Sequence, residues 1–129
     1  SPYEIPLTKE ILTRDFKMQK KLQSDELDVK NVTSEFFLAM NDAMNKLTKM
    51  APEINIPVYT LQAEEDHLID AEAVRSFFSL LHSNIKEFTV LSKFYHSLSI
   101  DKDKEFVYQL IYRWIEKILY LHEGPQVTA

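Results

Sequence analysis

Residues 56–70, with the sequence IPVYTLQAEEDHLID, pass from an apolar run through an acidic cluster to the start of a helix. After Pro57, residues 58–61 are β-branched, aromatic or aliphatic, which is the composition of a short buried strand. The acidic cluster ends at Asp66, and Asp70 has the side chain of a helix N-cap. Asp66 is therefore predicted to lie in the loop after the carboxyl end of a strand, which is where ligands bind in open α/β sheets.

A second strand-like run, residues 87–91, follows the helix predicted over residues 70–82 and leads into a polar loop that holds His96. If the two strands are parallel, this stretch is one βαβ unit and both loops lie at the same end of the sheet. Asp66 and His96 can then meet. A carboxylate that accepts from one imidazole nitrogen fixes the tautomer and stabilises the imidazolium formed when the other nitrogen takes a proton.

Residues 1–12 are predicted to form an extended or loosely helical lead-in. Asp15 is predicted to cap a short helix that ends near Lys21, and residues 22–32 are predicted to form a loop.

Three longer helices are predicted from apolar spacing, and each is expected to bury one face. The first begins at Thr33 or Ser34 and ends near Met50. Its stripe indicates core packing or, alternatively, part of an acyl-chain pocket, since methionine adapts to irregular apolar ligands. The helix over residues 70–82 should bury Ala73, Val74, Phe77, Phe78, Leu80 and Leu81. The last helix should begin at an Asp101 cap and end near Leu121. The apolar stripe of the first helix consists of Phe36, Phe37, Met40, Met44, Leu47 and Met50. That of the last helix consists of Phe106, Val107, Leu110, Ile111, Trp114, Ile115, Ile118 and Leu119.

The composition excludes several classes of function. The 129 residues include one glycine, Gly124, against a usual share of about 7%. A phosphate-binding glycine loop, a dinucleotide fingerprint and a glycine-flanked nucleophilic serine are thus ruled out within this sequence. There is no cysteine, and the net charge of −5 is opposite to that of a typical nucleic-acid-binding surface, so no nucleic-acid partner is expected. No apolar run or signal peptide points to a membrane, and a cytoplasmic location is expected.

IPVYTLQAEEDHLID followed by VLSKFYHSLSID resembles the C-terminal part of an α/β-hydrolase of the serine lipase, lysophospholipase and monoacylglycerol lipase group. The resemblance runs from about Thr13 to the end, and Thr13-Arg14-Asp15 is similar to a stretch in the lid of that group. The order Asp then His agrees with the family order Ser, Asp, His. Ala63 stands where the family commonly has glycine in the acid turn, and Lys93 or one of its neighbours stands where the family commonly has glycine before the histidine.

The resemblance implies an α/β fold: the last two parallel strands of the α/β-hydrolase fold with flanking helices, plus the end of a helical lid. Residues 1–50 correspond to the end of the lid, and residues 51–129 to the C-terminal segment with the acid and histidine loops. Asp66 corresponds to the acid and His96 to the base of a Ser-Asp-His triad, whose nucleophile and oxyanion hole lie outside this chain. The substrate would be a lipid or a small ester, and no cofactor is implied.

Two alternatives remain open at this point. The chain can be a non-catalytic α/β interaction module in which Asp66 and His96 are incidental. A metal site from Glu64, Asp66, His67 and His96 has suitable ligand types, although the spacing matches no known metal motif. The other histidines have structural interpretations: His67 as a surface or lid contact, His82 as a cation at a helix end.

The strand over residues 58–62 is predicted to be an inner strand that lacks a neighbour on one side. An unpaired strand edge recruits another strand, and exposed apolar helix faces favour association. A homo-oligomer is therefore expected.

Overall fold

The computed structural model describes residues 2–4 and 8–124. In chain order the elements are β1 (Pro2–Glu4), α1 (Lys9–Leu12), α2 (Phe16–Gln23), β2 (Asn31–Thr33), α3 (Ser34–Met50), β3 (Val58–Ala63), α4 (Ala71–Leu80), β4 (Lys86–Leu91) and α5 (Lys104–Glu123), with 3₁₀ turns at Ala51–Glu53 and Leu98–Ile100.

The strands β3 and β4 are parallel neighbours, with Val58 opposite Lys86 and Ala63 opposite Leu91. The helix α4 connects them, so the predicted βαβ unit is confirmed. Because parallel strands end at the same edge of a sheet, the loops after Ala63 and Leu91 lie side by side. Within the described residues, no strand pairs with the other edge of β3.

A small core lies between this sheet and α5. It consists of Ala63, Leu91, Phe94 and Val107, with Leu61, Leu98 and Leu110 packed against it. Two of these residues end the parallel strands and one, Phe94, belongs to the loop after β4. The core therefore lies directly beneath the loops that carry Asp66 and His96.

The first turn of α4 is stabilised as the sequence predicted, because the carboxylate of Asp70 accepts from the amide of Glu72 at 3.0 Å. The helix ends earlier than predicted, at Leu80. Leu81 is buried just beyond it, but Ala73 and Leu80 are exposed. His82 is also exposed, outside the helix. The cation at this helix end is Lys86, whose Nζ donates to the carbonyls of residues 78, 79 and 81.

The last helix differs from the prediction at its start and along its surface. It begins at Lys104 with Asp103 at the N-cap position, so the prediction that Asp101 caps it is wrong. Only one of its two apolar rows faces the sheet. In this row Val107 is buried and Leu110, Trp114 and Ile118 are half-buried. The other row is exposed, because a two-stranded sheet is too narrow to cover both rows. It consists of Phe106, Ile111, Ile115 and Leu119.

The helix α3 forms over its predicted range, with the hydroxyl of Thr33 accepting from the amide of Phe36 at 3.1 Å. The expectation that its apolar stripe is core is wrong. No residue of α3 is buried, and its large apolar side chains are between 44% and 65% exposed. Local capping and spacing specify the helix, but the described residues provide no surface large enough to cover it.

The N-terminal part consists of short elements. The strands β1 and β2 pair antiparallel, which replaces part of the loop predicted over residues 22–32. Asp15 caps α2 as predicted, with its carboxylate accepting from the amides of Lys17 and Met18. Residues 5–7 of the predicted lead-in lie outside the described residues. Among the helices described, none combines the length and apolar character needed to cross a bilayer.

Candidate active site

Asp66 is held by the turn that follows β3. Its Oδ1 accepts from the amides of Leu68 at 2.9 Å and Ile69 at 3.0 Å, so the side chain bonds the backbone of its own turn. Its Oδ2 lies 3.2 Å from Nε2 of Gln62, which is buried near the end of β3. These three donors, all within a few residues of Asp66 in the chain, fix the orientation of the carboxylate.

His96 reaches this carboxylate from the loop after β4. Its Nδ1 lies 2.9 Å from Oδ2 and 3.2 Å from Oδ1 of Asp66. The Asp66 side chain is only 6% exposed, whereas that of His96 is 34% exposed. None of the described residues hydrogen-bonds to Nε2 of His96. The pair thus has a shielded carboxylate at its inner end and an imidazole at its outer end.

The electrostatics of the pair keep Asp66 ionised at neutral pH. Burial alone would raise the pKa of this carboxyl, but the hydrogen bonds from His96, Leu68 and Ile69 outweigh it, and the pKa is lowered from its ordinary value. An ionised carboxylate facing Nδ1 favours the tautomer with the proton on Nδ1. Nε2 of a neutral His96 is then free to accept a proton.

The loop that carries His96 contains an unusual backbone conformation at Lys93, whose φ is +66°. This is the left-handed region, which costs a residue with a Cβ about 1–2 kcal/mol and which glycine adopts readily. The resemblance placed a common family glycine at Lys93 or at one of its neighbours.

Lys93→Gly is therefore expected to raise the free energy of unfolding by up to about 1 kcal/mol, after part of the relief is offset by the greater freedom of glycine in the unfolded chain. Lys102→Gly is the matched control, because Lys102 is an exposed loop lysine without positive φ. It should lose roughly 0.5–1 kcal/mol. Urea denaturation of both variants measures the difference, and equal destabilisation would contradict this interpretation of the loop.

The remaining titratable residues near the pair have other surroundings. His67 is exposed and its ring meets that of Tyr95 edge-on at 6.0 Å. Glu64 accepts a hydrogen bond from the hydroxyl of Ser92, and Glu65 is exposed. In residues 2–4 and 8–124, no group of three or more histidine or acidic side chains is placed to hold a metal ion.

Two contributors to the site were missed from the sequence. Gln62 supports Asp66, and the available signal was a polar residue within an otherwise apolar strand. Arg14 forms an ion pair with the buried Asp101 of the histidine loop, with Nη2 and Oδ1 2.6 Å apart. No local pattern links two residues that are 87 positions apart.

Comparison with known proteins gives a consistent result. The model of the Hydrolase_4 family, described as serine aminopeptidase, S33, matches residues 3–103. A Schizosaccharomyces pombe protein named "Putative monoglyceride lipase" is 25% identical over 121 residues, covering 92% of this chain and 31% of that protein. A Bacillus subtilis carboxylesterase is 20% identical over 102 residues, covering 79% of this chain and 42% of that protein.

Solved structures show the same fold. The crystal structure of Paleococcus ferrophilus monoacylglycerol lipase is similar with a TM-score of 0.79 at 21% identity, over 90% of this chain and 46% of that one. A soluble variant of the monoglyceride lipase from Saccharomyces cerevisiae gives 0.74 at 22% identity, over 91% and 44%. The two parallel strands and their helices are thus part of an α/β-hydrolase fold, and the predicted fold class is confirmed. The chain spans less than half the length of these relatives.

Proposed function

The chain belongs to the serine aminopeptidase S33 family, and from that premise we propose that it supplies the acid and the base of a Ser-Asp-His triad in an ester hydrolase. Asp66 is the acid and His96 the general base. The nucleophilic serine and the oxyanion hole are contributed from outside these 129 residues. In this proposal residues 1–50 are the end of the lid and residues 51–129 the C-terminal segment of the hydrolase core.

The observation that carries the proposal is the pairing of Asp66 with Nδ1 of His96 at 2.9 Å, with the carboxylate shielded and the imidazole partly exposed. In the first step Nε2 takes the proton of the serine hydroxyl as its oxygen attacks the ester carbonyl. Asp66 stabilises the imidazolium that results. Nε2 then gives the same proton to the departing alcohol, which leaves an acyl-enzyme for water to hydrolyse.

The proposed substrate is a carboxylic ester of a lipid or lysolipid. Support comes from relatives that are named for monoglycerides and carboxylic esters. The ester carbonyl suits the proposed chemistry, because a base that carries one proton from the serine to the leaving alcohol is what acyl transfer requires.

A fluorophosphonate probe tests the proposal in the complete protein that carries this segment, because such probes react with serines activated by an adjacent base. Labelling is expected at one serine outside this chain and is expected to be lost in His96→Ala. Labelling that is equal in the wild type and in His96→Ala would overturn the assignment of His96 as the base.

The second candidate function is an interaction module without catalysis. The observation that favours it is the large exposed apolar surface of α3 and α5, which is typical of a surface that binds another protein. The genomic sequence upstream of Ser1 separates the two candidates. A reading frame that continues upstream into a Gly-x-Ser-x-Gly segment supports the hydrolase, whereas a start codon at or near the position of Ser1 supports the module.

The isolated 129-residue chain is expected to be inactive toward short p-nitrophenyl esters. None of its serines has flanking glycines, so none stands on the strand-to-helix turn that exposes the nucleophile in this fold. Release of p-nitrophenol should equal the rate without protein. Turnover that disappears when one of the chain's own serines is replaced by alanine would contradict the proposed division of the triad.

We also propose that the isolated chain forms a homodimer through the open edge of β3 and the apolar faces of α3 and α5. A twofold arrangement would pair residues 58–62 of two copies antiparallel, which is self-complementary and closes the assembly. The amides of Val58 and Glu64 donate to β4, so by alternation those of Tyr59 and Leu61 face the open edge. Sedimentation at tens of micromolar should report a dimer, and Tyr59→Pro should weaken it because proline lacks the amide that an added strand would use. Thr89→Pro, on the neighbouring strand, is the control for a general loss of folding. A stable monomer with protected amides at Tyr59 and Leu61 would contradict the interface.

A further inference from the structure

The loop that carries His96, residues 92–103, is hydrogen-bonded to residues 12–15 through several polar groups, two of which are completely buried. The side chains of Thr13 and Asp101 are completely buried, and with Val107 they are the largest side chains that are. Buried threonine and aspartate are costly unless they are fully hydrogen-bonded. Among the described residues no buried side-chain nitrogen or oxygen lacks a hydrogen-bond partner, so hydrogen bonds offset the desolvation cost of Thr13 and Asp101.

Arg14 makes the central contact. Its Nε donates to Oδ2 of Asp101 at 2.9 Å and its Nη2 to Oδ1 at 2.6 Å, which is a bidentate pair. Nη2 also donates to Asp103 at 3.0 Å. The guanidinium carbon lies 4.5 Å from the ring centroid of Phe94, a residue of the same loop and of the core. Asp101, Asp103 and Phe94 together hold the planar guanidinium in essentially one position. A lysine ammonium would not reproduce these contacts.

Two further hydrogen bonds join the same segments on either side of this pair. The amide of Ser97, the residue directly after His96, donates to the carbonyl of Leu12 at 2.8 Å. The hydroxyl of Thr13 donates to the carbonyl of Ile100 at 2.8 Å. Phe94 and Ser97 flank His96 in sequence, and both contact residues 12–14. The position of His96 therefore depends on a segment that lies far earlier in the chain.

We propose that Arg14 and Asp101 form a clamp, the Arg14–Asp101 clamp, that positions His96 against Asp66. Neither residue is hydrogen-bonded to the imidazole, so both are proposed as positioning residues. Because Asp15 caps α2, the clamp also joins the segment proposed as the end of the lid to the proposed base, and a displacement of that segment would move His96. The consequence for turnover rests on the proposed function, but the effect on the Asp66–His96 hydrogen bond does not.

The test uses nitrogen NMR of the His96 imidazole in the isolated chain, because the shifts of Nδ1 and Nε2 report which nitrogen carries the proton. The main variant is Arg14→Met with Asp101→Leu, which removes both charges and keeps apolar bulk. Arg14→Lys keeps the charge but not the fork. Lys117→Met is the matched control, since it removes an exposed ion pair with Glu87 that lies away from the histidine loop.

The wild type and Lys117→Met are expected to show the Nδ1-protonated tautomer. The double variant should show a mixture of tautomers, and its Ser97 amide should exchange with solvent roughly tenfold faster or more. Arg14→Lys should lie between. A folded double variant or Arg14→Lys protein with the wild-type His96 spectrum and Ser97 exchange would overturn the clamp. If the double variant does not fold, the same comparison is made with Arg14→Lys alone.

Kinetics of the complete protein then separate the two proposals. Arg14→Met with Asp101→Leu should lower kcat about 10²-fold with little change in KM, as expected for a base displaced by about 1 Å. If His96→Ala leaves activity intact but the NMR changes occur, the proposed function fails and the clamp stands. If His96→Ala abolishes activity but the clamp variants leave kcat and the NMR spectrum unchanged, the clamp fails and the proposed function stands.

Discussion

His96→Ala is expected to lower kcat of the complete hydrolase by about 10⁶-fold, the scale of loss when the base of a serine hydrolase triad is removed. The reason is that, in the proposed mechanism, Nε2 both accepts the serine proton and returns it to the leaving alcohol. Without this group the serine attacks as a neutral hydroxyl. The expected measurement is the hydrolysis rate of a monoacylglycerol or a p-nitrophenyl ester at saturating substrate.

Asp66→Asn belongs to the same experiment and is expected to lower kcat by about 10⁴-fold. An amide can donate to Nδ1 of His96, which favours the tautomer with the proton on Nε2 and leaves no acceptor for the serine proton. The backbone donors at Leu68 and Ile69 still find the amide oxygen, so the turn should persist.

His67→Ala is the matched control, because His67 is adjacent to Asp66 but exposed and directed toward Tyr95. It should retain wild-type kcat. Wild-type rates in His96→Ala would end the assignment of that residue, and equal losses in His67→Ala and His96→Ala would point to general damage of both loops.

Arg14→Met is expected to lower the free energy of unfolding by about 3–5 kcal/mol. It leaves the completely buried carboxylate of Asp101 without its principal partner. Removing both partners together, in Arg14→Met with Asp101→Leu, should restore much of the loss because no unpaired charge remains buried. Lys117→Met removes an exposed ion pair and should cost less than about 1 kcal/mol. Urea denaturation measures all three, and an Arg14→Met protein as stable as the control would contradict the interpretation.

The same carboxylates set the response to acid. Burial would raise the pKa of Asp101, but the hydrogen bonds from Arg14 and Asp103 and the charge of Arg14 outweigh it, so its pKa is lowered, as is that of Asp66. A carboxyl whose folded-state pKa is depressed contributes stability that is present above the unfolded-state value of about 3.9 and is lost as the pH falls through the folded-state value. Below about pH 4, the free energy of unfolding should therefore fall less steeply with decreasing pH in Arg14→Met with Asp101→Leu than in the wild type, because this double variant lacks one of the two carboxylates.

The sequence by itself determined the features that depend on near neighbours. Asp15, Thr33 and Asp70 cap the helices that their positions predicted, because a cap is a contact between a side chain and an amide two or three residues away. The apolar run after Pro57 forms β3, and the order of strand, helix and strand predicted the parallel pair. That order also brought the loops of Asp66 and His96 to one end of the sheet, since parallel strands share their carboxyl edge.

Only the tertiary structure decided which surfaces are covered and which polar groups are paired. Asp101 has the sequence context of a helix cap, yet its carboxylate binds Arg14, which comes from a segment that no local pattern connects to it. Apolar spacing specified α3 and both rows of α5, but burial depends on the area that other elements offer. Two strands cover one row of α5 and none of α3. Periodicity describes what a helix can bury, and only the folded surroundings determine what it does bury.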